Sequence, residues 1–451
     1  MWFKLGMRNK SVVQRFRKLF RHRLPRRRLN ALHRHHCRRR RRPKGSFADL
    51  LQGLVYHAVM GQGRLEKHLF EQSGIVLSAP DISQRRQRLP WELFRDLLGH
   101  CLRPLADRRQ HPEAFYHGYR LVGLDGTCFG VHNVPRMVQA LGKASTRRFK
   151  AAFAHVRTVI LVELGLHNPI AAAIGRNGES EMQLAWGLIE QLPKRSLLLA
   201  DRLYGTPLFV GTVLARCLEV KGEFLVRIRR RLKTKLIEVL PDGSALVELR
   251  VRCEDGQPCT FVVREIRGRV TGRGSKVTSL RLWTSLLDAT AHPAAELLAL
   301  YAQRWEIELT IKELKVELRG SDRLASYTID TAAQEIAALL LAQAVLVEAR
   351  IVRGRQAAVA VLRISFRDVL HQVRLLWTLV VIGEGYRQRT YHALLGAFMG
   401  ELRCYVNPPR RARSCARAVR QPVTGWPRLL RRRETHGEFR YEVVKHPGSK
   451  R

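Results

Sequence analysis

The chain has 451 residues, 45% of them hydrophobic, enough for a sizeable core divided among more than one structural unit. Its 81 Lys and Arg stand against 38 Asp and Glu, a formal charge of +43. So basic a chain repels itself unless a polyanion is near, which points to nucleic acid and, with no apolar run reaching the roughly 18–20 residues of a spanning helix, away from a membrane protein.

Residues 1–48 contain no acid, and seventeen Lys or Arg lie between Arg8 and Lys44. Val12, Val13, Phe16, Leu19 and Phe20 keep helical spacing, but like-charge repulsion predicts a disordered arm over 1–48 until phosphate neutralises it. This basic start lacks the apolar stretch and small-residue cleavage site of a secretory signal, so a cytoplasmic, nucleoid-associated protein is expected. His33, His35, His36 and Cys37 have no second half-site and read as part of the arm, not as a zinc site. The eight cysteines form no C-x-x-C pair and read as scattered reduced thiols.

Residues 49–118 read as short helices, a domain of the kind that binds DNA. Phe47, Leu50, Leu51, Leu54, Val55 and Val59 keep one helical face, and a second helix covers Trp91 to Leu102. Strands begin at Arg120. The run Arg120-Leu-Val-Gly-Leu-Asp125-Gly-Thr127 reads as a strand ending in an aspartate and a turn. Strands over Val156–Leu164 and Ile170–Ile174 follow, then a helix over Glu179–Leu192. The apolar strand Ser196–Ala200 again leads into an aspartate, Asp201, before a helix at Pro207–Leu218 and a strand at Phe224–Ile228. Three strands, helix, strand, helix, strand make a mixed α/β sheet over 119–228, and in such sheets sites form at strand ends. Residues 229–284 read as a β-rich insertion, 285–355 as the second part of the core, 356–407 as a helical C-terminal region and 408–451 as a basic tail.

No Gly or Pro interrupts 294–319, which predicts one long helix. At about 100° per residue, Tyr301, Arg304, Glu308 and Lys315 share one narrow sector, beside an apolar stripe of Leu300, Ile307, Ile311, Leu314 and Leu318. Glu306 and Glu313 fall on the far side.

The candidate site is Asp125, Asp201 and Glu308. Carboxylates brought together repel one another, and a hard divalent cation offsets that, which implies Mg²⁺ or Mn²⁺. Two such ions roughly 4 Å apart can serve an in-line phosphoryl displacement. Three stretches carry a family resemblance: Val122-Gly-Leu-Asp125-Gly-Thr127, Leu198-Leu-Ala-Asp201-Arg-Leu-Tyr204, and the spaced set Tyr301, Arg304, Glu308 and Lys315, a Y-x2-R-x3-E-x6-K pattern. Over about Asp49 to Arg420, with Arg176-Asn177-Gly178-Glu179 and Thr284-Ser-Leu-Leu-Asp288 included, the chain resembles bacterial insertion-sequence transposases of the Asp-Asp-Glu class, the insertion-sequence-four family. The resemblance implies a ribonuclease-H-like core interrupted by the β-rich insertion. It implies Asp125, Asp201 and Glu308 as a catalytic triad holding two Mg²⁺ ions, and Tyr301, Arg304 and Lys315, with Arg202 and Tyr204 of the second stretch, at the DNA. It further implies double-stranded DNA partners, the transposon ends and a target, held by a homodimer, with metal-dependent cleavage and joining of 3′-hydroxyl ends. Family members stack a flipped base on a tryptophan of the insertion; Trp283 stands at an odd offset from that place, which reverses its side of the strand and assigns it to the core. A domesticated DNA-binding derivative, a general metal-dependent nuclease on the same fold, and a nucleic-acid packaging protein are the alternative readings. Asp125, Asp201 and Glu308 in these settings speak against the first and last, and a helical DNA-binding domain against the second.

Overall fold

The computed structural model describes residues 24–37, 44–144, 151–229, 232, 234–252, 257–271, 278–321, 323–382, 405–408 and 439–448, together with two-residue strands at 413–414, 419–420, 427–428 and 434–435. The expectations for Val12–Phe20, for the arginine run 38–42, for helix continuing to Phe398 and for the run 431–433 lie outside the described residues. Two compact units emerge, one of residues 1–115, 124–191 and 306–406, the other of 116–123, 192–305 and 407–451. They cut across the linear divisions expected from the sequence.

In the first unit five helices come first: α1 (Arg26–His36), α2 (Phe47–Met60), α3 (Leu65–Ser73), α4 (Ala79–Gln87) and α5 (Trp91–Cys101). Helix α1 lies within the stretch expected to stay disordered. Its charge is answered locally: Leu29 is buried, Arg26 pairs with Asp49 at 2.5 Å, and His36 meets Asp96 at 2.9 Å. Helix α2 starts on a capping box between Ser46 and Asp49 and stops at Gly61, whose φ of 71° is the left-handed cap that glycine takes without strain. The strands of this unit are the later part of β2 (Tyr119–Gly130), then β3 (His155–Glu163) and β4 (Asn168–Ile174), antiparallel to β3. Helices α6 (Pro135–Leu141) and α7 (Glu181–Ile189) accompany them, the latter opened by a Ser180–Gln183 capping box. Helix α11 (Ile329–Ala357) is buried almost all round from Ala332 to Val347, as an apolar helix without a polar face must be, and α12 (Phe366–Ile382) packs beside it.

In the second unit, the first part of β2 is followed across the sheet by β5 (Ser196–Ala200), β6 (Glu223–Arg227), β10 (Thr278–Thr284), β9 (Pro258–Thr271), β8 (Ala245–Arg252) and β7 (Lys235–Val239). Strand β5 pairs with β6 in parallel across helix α8 (Pro207–Val220), as a crossover requires. Strands β7 to β10 form an antiparallel meander whose last member pairs with β6, so the insertion extends the core sheet. A late strand, β11 (Arg440–Val443), pairs with Gly268–Thr271 of β9. Counted along the chain, the core strands run 3-2-1 in one unit and 1-4-5 in the other with the long strand shared, the order of a ribonuclease-H-like core. No described helix is long and apolar enough to cross a membrane.

Two expectations change here. Strand β2 continues through Thr127, Cys128 and Phe129 to Gly130, so Asp125 lies mid-strand and not at its end. The Asp-Gly pair makes no turn because Gly126 keeps an ordinary backbone conformation and strand-forming residues follow it. The single long helix is instead four successive helical segments. Helix α9 (Ala294–Tyr301) passes through a 3₁₀ turn (Ala302–Arg304) into α10 (Trp305–Lys312), which ends in a π-helical stretch (Glu313–Leu318). Changes of helical pitch of this kind recur at functional sites.

Candidate active site

Strand β2 places Asp125 half-buried, with its Oδ1 accepting from the Gly126 amide at 2.9 Å. A side chain at Gly126 would overlap the carboxyl group of Glu181, in the first turn of α7. A second acid thus packs close to the strand beside Asp125, and a larger residue at position 126 would displace its side chain. Glu308 is half-buried in the first turn of α10. Lys315, seven residues on, donates from Nζ to the Cys128 carbonyl at 2.8 Å and lies 5.5 Å from the Phe129 ring centroid. The helical path carrying Glu308 is thereby fastened to the strand carrying Asp125.

In the other unit, Asp201 is half-buried immediately after β5. The Tyr301 hydroxyl donates to the carbonyl of Ala200 at 3.2 Å, and its ring is buried. Tyr301 and Lys315, expected at the DNA, each donate to a main-chain carbonyl next to the aspartate strands. Tyr204, also expected there, is fully buried with its ring 5.3 Å from Phe209. Arg202 is exposed and Arg304 half-exposed. Trp283 is fully buried and donates from its indole nitrogen to Glu265 at 3.1 Å, a core residue as its offset indicated.

The acids on the far side of the motif helix form a network that sequence reasoning missed. His167, fully buried in the turn between β3 and β4, meets Glu306 through Nε2 and Glu313 through Nδ1, each at 2.8 Å. Glu313 also pairs with Arg350 of α11 at 3.2 Å, and Arg350 donates to the carbonyls of Ile364 and Leu362. Both ring nitrogens face carboxylate oxygens, so both carry protons and the ring is an imidazolium. Burial alone would push its pKa down, but Glu313 beside it and the hydrogen bonds from Glu306 and Glu313 hold it above the ordinary histidine value. Burial likewise opposes the charge on Glu313, yet His167 and Arg350 keep its pKa below the usual carboxylate value. Two cations and two anions close the network. Its only trace in the sequence is a pair of acids seven residues apart on a helix back.

The insertion carries a second buried set. Arg264 is fully enclosed, pairing with Asp242 and donating to Ser244 Oγ and to the carbonyls of Leu286, Asp288 and His292. Asp242 accepts in turn from the Ala294 amide at 2.8 Å, tying the β7–β8 turn to the start of α9. Cys37, Cys101, Cys128 and Cys217 are free thiols, whereas Cys259, at the start of β9, is disulfide-bonded to a partner outside the described residues, contrary to the expectation of reduced thiols throughout.

Asp125, Asp201 and Glu308 offer oxygen donors only, and each is partly open to solvent. That donor chemistry fits Mg²⁺, which keeps several waters and takes few protein carboxylates. Among the described residues, no group of three or more His, Cys, Asp or Glu side chains gathers to hold an ion by itself.

Residues 116–344 match the family described as the transposase DDE domain, half of the chain, and the protein belongs to that family. Over 265 residues it is 28% identical to the transposase InsG for insertion sequence element IS4 of Escherichia coli K12, a match covering 58% of each chain. Over 90 residues it is 30% identical to the putative transposase InsZ of the same organism, 20% of this chain and 30% of that one. The matched stretches thus span less than two thirds of either relative. Among solved structures it is similar to the piggyBac transposase in a synaptic complex with hairpin DNA, at 11% identity and a TM-score of 0.40 over 85% of this chain and 82% of that one.

Proposed function

We propose that this protein is a DNA transposase that binds the inverted-repeat ends of an insertion sequence, cleaves the DNA and joins the 3′-hydroxyl ends to a target, acting as a dimer on paired ends. The observation that carries this reading, beyond family membership, is the Lys315 brace: it bonds the helical path bearing Glu308 to the strand bearing Asp125 within one unit. A packaging protein has no use for such an arrangement. Asp125, Asp201 and Glu308 would hold Mg²⁺ or Mn²⁺, and the ions when bound would supply charge neutralisation at the scissile phosphate. The chain's own groups do the rest. Gly126 orients the Asp125 carboxylate through its amide, Tyr301 braces the main chain before Asp201, and the exposed Arg202 and half-exposed Arg304 grip phosphates beside the broken bond.

The test uses terminal repeats taken from the DNA flanking the gene, a labelled duplex, a plasmid target, and Mg²⁺ against Ca²⁺. Asp125→Ala, Asp201→Ala and Glu308→Ala should each abolish cleavage while leaving end binding within a few-fold of the parent. A variant that still cleaves with Mg²⁺ removes that acid from the set. Cleavage of unrelated duplexes as fast as the repeats, with no joining, would make the protein a general nuclease.

A further inference from the structure

Beyond Asp125, strand β2 runs into a surface that the proposed chemistry does not use. Three segments are knitted together there, all in the first unit. Gly130 bridges to Arg323 and accepts from the Leu324 amide at 2.7 Å. Val131 donates to the Ala154 carbonyl at 2.9 Å, and Asn133 clasps 152–154 by donating to Ala152 and accepting from the Ala154 amide. Lys143 donates to the same Ala152 carbonyl at 3.1 Å.

On this frame stand two ring pairs. His132 and Tyr327 stack with centroids 4.5 Å apart and planes 13° from parallel, and Arg323 lies over Phe153 at 5.1 Å. Tyr327 is 59% exposed and Phe153 37%. Rings held in register at the surface leave apolar faces in water, an arrangement expected of a binding site more than of a core. The stretch of chain that carries His132 and Phe153 is basic, while Asp322 adjoins Arg323 in the sequence. From Gly126 to Val162 the sequence has no Asp or Glu, and Arg136, Lys143 and Arg157 are the basic residues among the described positions of that stretch. Of the acids that follow Arg323, Asp330 accepts from the Trp91 amide and Glu335 pairs with Arg319.

We infer that His132, Phe153, Arg323 and Tyr327 form a DNA-contact surface that stacks unpaired bases while neighbouring cations hold the backbone. Aromatic faces interleaved with cations are the means by which proteins hold single strands without reading sequence. Gly130 follows Asp125 by five residues, about 16 Å along an extended strand, so this contact is separate from the acids. It rests on the transposase reading only in needing DNA whose strands have parted.

The test measures binding of the full chain to a labelled thymidine 20-mer and to a duplex of equal length, in enough salt to suppress contacts of the basic arm. Tyr327→Ala should weaken single-strand binding by roughly five- to 150-fold, the worth of one stacked base, and duplex binding far less; Tyr327→Trp should restore it. Arg323→Gln should flatten the single-strand salt slope by about 0.7. Bromodeoxyuridine in the 20-mer should crosslink to the peptide holding Tyr327 or Phe153. Equal losses on both DNAs, an unchanged affinity with no crosslink, or a change in self-association instead of DNA binding would each overturn the inference. The catalytically dead Asp125→Asn should bind the 20-mer like the parent, which keeps this test independent of cleavage.

Discussion

Removing His167 is the most informative perturbation of the framework. Fully buried, it donates to two carboxylates on the path that carries Glu308, and Arg350 pairs with one of them, Glu313. His167→Ala therefore takes one buried cationic partner from each of Glu306 and Glu313 and vacates a cavity beside them. Breaking a buried ion pair by removing one partner costs about 3–5 kcal/mol, or roughly two to three and a half powers of ten in an opening equilibrium. Hydrogen exchange of peptides covering 300–320 reads this directly, and protection should fall by that factor if they open locally. The sign with pH follows from the raised pKa. The extra protection is fully present below the ordinary value of about 6.5 and is lost as pH rises through the folded-state value; the parent should show that loss and His167→Ala should not. The triple replacement His167→Leu, Glu306→Gln, Glu313→Gln, which discharges the site, should recover most of the loss. If His167→Ala exchanges within threefold of the parent with the same pH slope, the network does not hold the helix.

Tyr301→Phe removes only the hydroxyl that donates to the Ala200 carbonyl, so stability should drop by about 0.5–1.5 kcal/mol in urea unfolding, while DNA affinity stays unchanged; a large loss of DNA affinity would return Tyr301 to the interface. Deleting residues 1–23 removes Lys4, Arg8, Lys10, Arg15, Arg17, Lys18, Arg21 and Arg23 and spares α1, so the log–log salt slope of duplex binding should shrink by up to about 7, roughly 0.9 for each of eight cations; an unchanged slope means that the arm does not touch DNA. Burial and the facing His68, whose Nδ1 lies 2.8 Å away, lower the His57 pKa to about 4. The helical domain should therefore keep its full stability above about 6.5 and lose it as pH falls toward about 4; His57→Gln should flatten that acid limb in thermal unfolding, and an unflattened limb would place the titration elsewhere.

Local pattern carried the architecture well. Apolar runs marked β3, β4, β5 and β6 to within two residues, and the alternation over 235–284 marked the meander. The course of β2 was misread because Asp-Gly is a strong turn signal in isolation, and only the pairing of its neighbours keeps it extended. The long helix was legible as a helical path but not as a change of pitch, which depends on where its side chains anchor. Tyr301, Lys315 and Tyr204 stood in a recognisable pattern, yet their anchoring or burial depends on elements far along the chain. His167 gave no signal at all, since a lone histidine in a turn acquires meaning only from Glu306, Glu313 and Arg350 around it.

The pairing of β11 with β9 sets the order in which the protein can finish folding. Along one edge, β9 is covered by β8 as far as Glu265 and by β11 over Gly268–Thr271. While the chain emerges from the ribosome, the first cover arrives before β9 is made, but the second waits until everything from Thr271 to Val443 has been synthesised. During that interval the nascent protein shows a short open ladder next to hydrophobic strands, the template on which chains pair with one another. Gly268 and the charged Arg269 sit on that ladder, weak partners for a foreign strand, and so guard it until its own strand arrives.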